Sequence, residues 1–284
     1  MPYTVAHDGT KIVFHMVGQG PPLLCLAGGP GTDVRSLGNL GGLDRHRTLV
    51  LVDARAAGAS DVPADPAGCA YTEQVHDLEA VRRHLGAGPV DVLAHSAGAL
   101  TAQHHAASYA NGVRRLVLVT PAGRIGREVD AAEVATLRAR RSDEPWYDSA
   151  AEAAELLATG VSGVEAEEAQ RRLAPFLYGR WTDETRAHHD ADRVRPPAWL
   201  YEAFYRGNPA EHEAAERLRF LRSVSVPVLA LAGAEDCVAG TRPAVLTASL
   251  YRHGRLETVP GAGHHPWLDG PEYFRDLIES FLRD

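Results

Sequence analysis

Val90-Asp91-Val92-Leu93-Ala94-His95-Ser96-Ala97-Gly98 is the stretch on which the reading of this chain turns. A short apolar run of β-forming residues ends in a serine between small neighbours, and a helix-forming segment, Ala99 to Ala110, follows at once. The pattern predicts a strand, a sharp turn bearing Ser96 and then a helix, which is the layout of a nucleophile elbow. Such a turn strains the serine backbone, so its close neighbours must be small, and Ala94 and Gly98 meet that need. The usual spelling is G-x-S-x-G; here it is A-H-S-A-G, with alanine at the first glycine. Ser96 is then expected at the carboxyl end of a strand with its hydroxyl exposed. The N–H of Ala97, at the start of the helix, is placed to stabilise an oxyanion. An ordinary strand-to-helix turn with a capping serine is the competing reading of the pentapeptide alone.

Outward from this run, short apolar segments alternate with helical ones. Pro2–Ala6 and Lys11–Val17 read as strands about His7-Asp8-Gly9-Thr10, whose Asp-Gly pair is a hairpin signal. Leu23–Leu26 and Thr48–Asp53 are further strands, and Thr72–Leu85 carries Val75, Leu78, Val81 and Leu85 at helical spacing. Arg115–Val119 is the next strand. From about Ala122 to about Arg222 the alternation stops, and helical periodicity around Ala131–Arg141, Ser149–Ala158 and Val164–Leu177 predicts an all-helical insertion. Alternation resumes with a strand at Pro227–Ala232, a helix near Pro243–Tyr251, a strand at Arg255–Val259 and an amphipathic helix from Pro271 to Leu282. Such alternation implies a mostly parallel sheet covered on both faces. Ligand sites in these sheets lie beyond the carboxyl ends of the strands. The loops after Leu26, Asp53, Ala94, Ala232 and Val259 all fall at that edge.

Composition narrows the classes. The 284 residues suit one domain with an insertion, and 45% hydrophobic with 23% charged residues is ordinary for a globular protein. A formal net charge of −8 argues against nucleic acid as a partner. Cys25, Cys69 and Cys237 are an odd, widely spaced set, which is neither a disulfide framework nor a metal site. The N-terminal residues lack the look of a signal peptide, and no apolar run is long enough to span a membrane, so a cytoplasmic location is expected.

A serine hydroxyl needs a base within reach, and the base needs an orienting carboxylate. His264, in Val259-Pro260-Gly261-Ala262-Gly263-His264-His265-Pro266, sits in a glycine-rich loop just beyond a strand and is the base expected. His265 is its competitor, held toward extended geometry by Pro266. Adjacent histidines cannot easily share one metal ion, and no set with metal-ligand spacing accompanies them. Asp236 follows the penultimate strand in Gly233-Ala234-Glu235-Asp236 and is the expected acid, with Glu235 as its alternative. The chain order serine, aspartate, histidine is that of α/β-hydrolases.

On these residues the chain resembles the α/β-hydrolase superfamily, and within it the proline iminopeptidase-like branch. That branch has H-G-G-P-G after its third strand, matched here by Ala27-Gly28-Gly29-Pro30-Gly31. It has D-x-R-G-x-G-x-S after the next strand, matched by Asp53, Arg55, Gly58 and Ser60, with Ala56 for one glycine. The elbow at Ser96, G-x-x-D at Gly233–Asp236 and G-x-G-H at Gly261–His264 complete the likeness. The resemblance implies an α/β-hydrolase fold, a mostly parallel eight-stranded sheet flanked by helices, with a core of residues 1–121 and 223–284. Residues 122–222 correspond to that family's helical cap in position only.

By the same resemblance, Ser96, His264 and Asp236 are nucleophile, base and acid, and Gly29 supplies a second oxyanion-hole N–H facing that of Ala97. Asp53 and Arg55 are expected to brace their loop. Gly28, His95 and Glu202 are the candidate substrate contacts, Glu202 as a carboxylate among aromatics that could anchor a free amine. Ala27 and Ala94 depart from the family pattern without removing a catalytic atom. The expected activity is hydrolysis of an ester or amide bond of a small molecule or short peptide through an acyl-enzyme, with no cofactor and no metal. An iminopeptidase-like aminopeptidase, an esterase or lactonase, and an amidase of a small metabolite all fit. A lyase or cofactor-free oxygenase, or a non-enzymatic receptor on the same fold, are the readings from other classes. Neither nucleic acid nor membrane is an expected partner; a homo-oligomer is compatible with the sequence.

Overall fold

A computed structural model describes residues 1–191 and 196–283. Residues 192–195 and 284, which the expected cap and core ranges include, lie outside the described residues. Eight strands form one sheet: β1 (Tyr3–Val5), β2 (Lys11–Val17), β3 (Pro22–Leu26), β4 (Thr48–Val52), β5 (Val90–His95), β6 (Val113–Val119), β7 (Val228–Gly233) and β8 (Gly254–Val259). Their order across the sheet is β1-β2-β4-β3-β5-β6-β7-β8. The β1–β2 and β2–β4 pairs are antiparallel and the rest parallel.

The inner strands read as unbroken apolar runs because helices cover both faces. Side chains alternate between the faces. Leu24, Val50, Val92, Leu116 and Val228 pack on one side with Leu78 and Val81 of α1 (Val75–His84) and Ala99 and Ala102 of α2 (Gly98–Ser108). Leu23, Leu49, Leu93, Val117 and Leu229 pack on the other with Phe274, Ile278 and Phe281. The polar exception, Asp91 on β5, is fully buried and is held by Arg47 and Arg114, with Glu279 closing the network onto Arg47.

Between β6 and β7 come six helices: α3 (Ala131–Ala139), α4 (Tyr147–Ala158), α5 (Gly163–Leu173), α6 (Asp183–Ala191), α7 (Ala198–Tyr205) and α8 (Ala214–Arg222). Among the described residues no strand interrupts them. The Asp130 carboxylate caps α3, accepting from the N–H groups of Ala132 and Glu133. The same helix fastens the segment to the loop after β7: Arg138 Nε donates to the Cys237 carbonyl at 3.0 Å and Glu133 accepts from the Thr241 N–H at 2.9 Å. The core is completed by α9 (Arg242–Leu250), the short α10 (Pro266–Asp269) and α11 (Pro271–Arg283). On α11, Phe274, Ile278, Phe281 and Leu282 form the apolar stripe that faces the sheet. Burying each such side chain contributes about 1.5–3 kcal/mol.

The loop after β4 is braced as its sequence leads one to expect. Asp53 Oδ2 accepts from Ala59 N–H at 3.0 Å and lies 3.1 Å from His15 Nε2, and Ser60 Oγ donates to the Asp53 carbonyl at 2.8 Å. The Arg55 guanidinium is fully buried and bidentate on Asp77 of α1, at 2.7 and 2.8 Å, with Asp8 as a further partner. Removing one partner leaves a buried charge uncompensated, so Arg55→Ala should cost about 3–5 kcal/mol of stability. Urea unfolding of the parent and variant measures this; a loss below about 1 kcal/mol, the range of exposed ion pairs, contradicts the bracing role.

Candidate active site

Ser96 ends β5 in the left-handed region, at φ 49°. A side chain in that conformation costs on the order of 1–3 kcal/mol and persists only where the surroundings enforce it. Three hydrogen bonds do so: Ser96 N–H donates to the Val119 carbonyl at 3.0 Å, and the Ser96 carbonyl accepts from Ala99 and Ala122, each at 3.1 Å. Packing leaves no alternative. A Cβ on Gly98 would stand 2.4 Å from the Ala27 carbonyl oxygen, and one on Gly28 would stand 2.8 Å from Ser96 Cβ. Ala94 is different, since its methyl group belongs to the buried core cluster of that sheet face.

The loop after β8 brings His264 over this turn. Ser96 Oγ and His264 Nε2 are 3.0 Å apart, and His264 Nδ1 and Asp236 Oδ2 are 2.8 Å apart. A carboxylate accepts, so Nδ1 carries the proton and Nε2 presents a lone pair to the serine hydroxyl. Asp236 is fully buried, and its other oxygen accepts from the N–H groups of Val238 and Ala239, both at 2.9 Å. Glu235 and His265 take no part in this series of hydrogen bonds: His265 lies stacked on Tyr178, with ring centroids 5.0 Å apart. The three residues expected from the sequence therefore meet at the carboxyl edge of the sheet.

The other expected residues divide. Ala97 begins α2 directly after the serine, and Gly29, at φ 113°, follows Gly28 in the loop that backs onto Ser96. His95 points to the far side of the site. Its Nε2 donates to the His264 carbonyl at 2.9 Å, so that nitrogen is used on the protein rather than on a ligand. Thr120 Oγ1 donates to the same carbonyl at 3.0 Å, a contact that no motif foretells. Glu202, the expected amine anchor, is exposed on α7, whereas Leu200, Ala203 and Phe204 of that helix are buried. Residues two apart on a helix point about 200° apart, so a helix that turns Phe204 inward turns Glu202 out. Phe204 packs with Ala97, Leu100 and Tyr71. Beside Ala27, a cavity of about 20 Å³ is bounded by Gly28, Gln74, Ala97 and Thr101, room for a water molecule but not for a substrate. Among the described residues no group of three His, Cys, Asp or Glu side chains is placed to hold a metal ion, and no helix is long and apolar enough to cross a membrane.

The family model described as alpha/beta hydrolase fold matches residues 21–271. An uncharacterised protein of Mycobacterium tuberculosis is 26% identical over 286 aligned positions, covering 96% of this chain and 79% of its own. An esterase from Exiguobacterium antarcticum superposes with a TM-score of 0.73 at 19% identity, covering 99% of both chains. A proline iminopeptidase from Mycobacterium smegmatis gives 0.73 at 20% identity, covering 99% of this chain and 97% of its own. At such identities the two structures share the fold with this chain, and no more than the fold.

Burial also sets the charge state around the site. It pushes the imidazoles of His95 and His265 well below the usual histidine range, with nearby histidines adding to the effect. It brings His104 and His105, on α2, down to about 4. These groups titrate near 6.5 when unfolded, so between about 6.5 and 4 the unfolded chain binds more protons than the folded one. Stability is thus complete above that window and falls as the pH drops through it. Melting temperature should be lower at about pH 4.5 than at about pH 7. A flat profile across that range contradicts the burial of neutral histidines.

Proposed function

This chain belongs to the alpha/beta hydrolase fold family, and from that membership we propose that it is a serine hydrolase cleaving an ester of a small substrate, with Ser96, His264 and Asp236 as its reacting residues. The observation that carries this reading is the continuous hydrogen-bond chain, 3.0 Å from serine to imidazole and 2.8 Å from imidazole to carboxylate.

In the proposed reaction Ser96 Oγ attacks the carbonyl carbon while its proton passes to His264 Nε2. Asp236 keeps the imidazole in the correct tautomer and stabilises the imidazolium that forms. The N–H groups of Ala97 and Gly29 donate to the oxyanion of the tetrahedral intermediate, each such donor contributing about 3 kcal/mol. The imidazolium returns its proton to the departing alkoxide and leaves an acyl-serine. Water then attacks the acyl carbon as His264 takes its proton, and collapse releases the acid and restores Ser96. The helices between β6 and β7 act as the cap over this site, excluding water and selecting the substrate.

Esters are favoured over peptides because Glu202, the carboxylate that would have held a free amine, is exposed on α7. The iminopeptidase reading keeps one support, the Ala27–Gly31 loop and its likeness to H-G-G-P-G.

A fluorophosphonate probe tests the chemistry, since Ser96 Oγ forms a bond to phosphorus as fluoride leaves. The parent should label once per chain, and Ser96→Ala should neither label nor hydrolyse p-nitrophenyl butyrate, its kcat falling at least about 10,000-fold. A Ser96→Ala variant that keeps the parent rate sinks the proposal. Prolyl p-nitroanilide decides the substrate class: the ester reading predicts little turnover. Efficient cleavage of the free amine with none of its N-acetyl form would transfer the function to the iminopeptidase reading.

A further inference from the structure

The main chain of His264 is held from two sides. Its carbonyl is gripped from the sheet by His95 and Thr120. Its N–H donates in the opposite direction, to the carbonyl of Leu177 at 2.7 Å, in the segment between α5 and α6. The residues around that contact form a seam between the two segments of the chain. The Asp269 carboxylate, at the end of α10, accepts from the N–H of Gly263 at 2.9 Å and from that of Gly179 at 2.9 Å with the same oxygen. Its other oxygen accepts from Arg180 N–H at 3.2 Å. One side chain therefore binds the residue preceding His264 and two residues of the cap that lie about ninety positions away in the chain.

The seam is backbone against backbone. A Cβ on Gly179 would stand 1.9 Å from the Gly261 carbonyl oxygen, and one on Gly263 would stand 2.6 Å from Tyr178 C and 2.8 Å from the Leu177 carbonyl oxygen. Side chains at either position would force the two segments apart, and the bond from His264 N–H to Leu177 would open with them.

We propose that Asp269 is a positioning residue of the hydrolytic reaction: by clamping Gly263 to Gly179 and Arg180, it makes the seating of the cap set the aim of the His264 imidazole at Ser96. The inference rests on the triad reading given above. It also assigns the cap a fixed flank. The Leu177–Arg180 segment stays docked on the histidine loop through the catalytic cycle, and any opening that admits substrate occurs elsewhere along the cap. A misplacement of about 1 Å in a reacting group costs on the order of 100-fold in rate, so a clamp of this kind acts on chemistry and not only on stability.

The test is the second-order rate constant for fluorophosphonate labelling of Ser96, paired with kcat and KM for p-nitrophenyl acetate, a substrate too small to depend on distant cap contacts. Asp269→Ala should slow labelling by about 10- to 100-fold and lower kcat in proportion, with KM changed less than about twofold. Asp269→Asn keeps an amide oxygen for Gly263 and Gly179 and loses only the acceptor for Arg180, so it should recover most of the rate. Gly179→Ala changes no charge and lies on the cap alone, and it should slow labelling about tenfold. A variant that melts earlier than the parent yet labels at the parent's rate well below its melting temperature shows a purely structural role and overturns the proposal. If Asp269→Ala does not fold, Gly179→Ala decides: labelling at the parent's rate refutes the clamp. Failure of the triad reading itself looks different, because the parent would not label or Ser96→Ala would.

Discussion

The backbone of Ser96 cannot relax. Its φ of 49° is unfavourable for any side chain, and it is kept there by hydrogen bonds to β6 and by glycines at positions 28 and 98 that let neighbouring backbone approach to within contact. This constraint fixes where the hydroxyl stands relative to the sheet. Every other part of the site is arranged around that point: the Gly28–Gly29 turn behind it, the first N–H groups of α2 beneath it, and the His264 loop above it. Loosening the turn would dissolve the spatial relation among residues that are otherwise far apart in the chain.

The two ends of the parallel strands have different work. At the amino ends, buried Asp91, Arg47 and Glu279 form an ionic network that the exposed Arg114 joins through Asp91. At the carboxyl ends, polar groups converge on Ser96 and His264, and the helical segment between β6 and β7 reaches them through α7, whose Phe204 packs with Ala97 and Leu100. His95 Nε2 donates to the main-chain carbonyl of His264, so that the strand leading into Ser96 also steadies the His264 loop.

Much of this was legible in the sequence, for identifiable reasons. Ser96, Asp236 and His264 each stand in a glycine-bearing loop directly after an apolar strand, and such loops in a parallel sheet share one edge. The inner strands β3, β4 and β7 were legible because their apolar runs are nearly unbroken, and Asp53 and Arg55 through the likeness of their loop to a family motif. The aromatic neighbours of Glu202 look like an amine pocket in the sequence, while the helical period that turns Leu200, Ala203 and Phe204 inward turns the carboxylate out. The contacts of Thr120 and Asp269 left no mark in the sequence, since neither residue stands in a motif that would announce its role, although they bind His264 and Gly179 across 144 and 90 residues. The helices α6, α7 and α8 had no sequence limits of their own because Gly and Pro punctuate that region without a sustained apolar stripe.

One imidazole joins a hydroxyl to a carboxylate, and Asp236→Asn tests that linkage most directly. The change keeps the size of the side chain, but the amide donates to His264 Nδ1, which moves the imidazole proton to Nε2 and leaves no lone pair for the Ser96 proton. With the fold intact by circular dichroism, kcat for p-nitrophenyl butyrate should fall by about 10,000-fold. A variant that turns over the ester at a rate near that of the parent would contradict the claim that these three residues act as one unit.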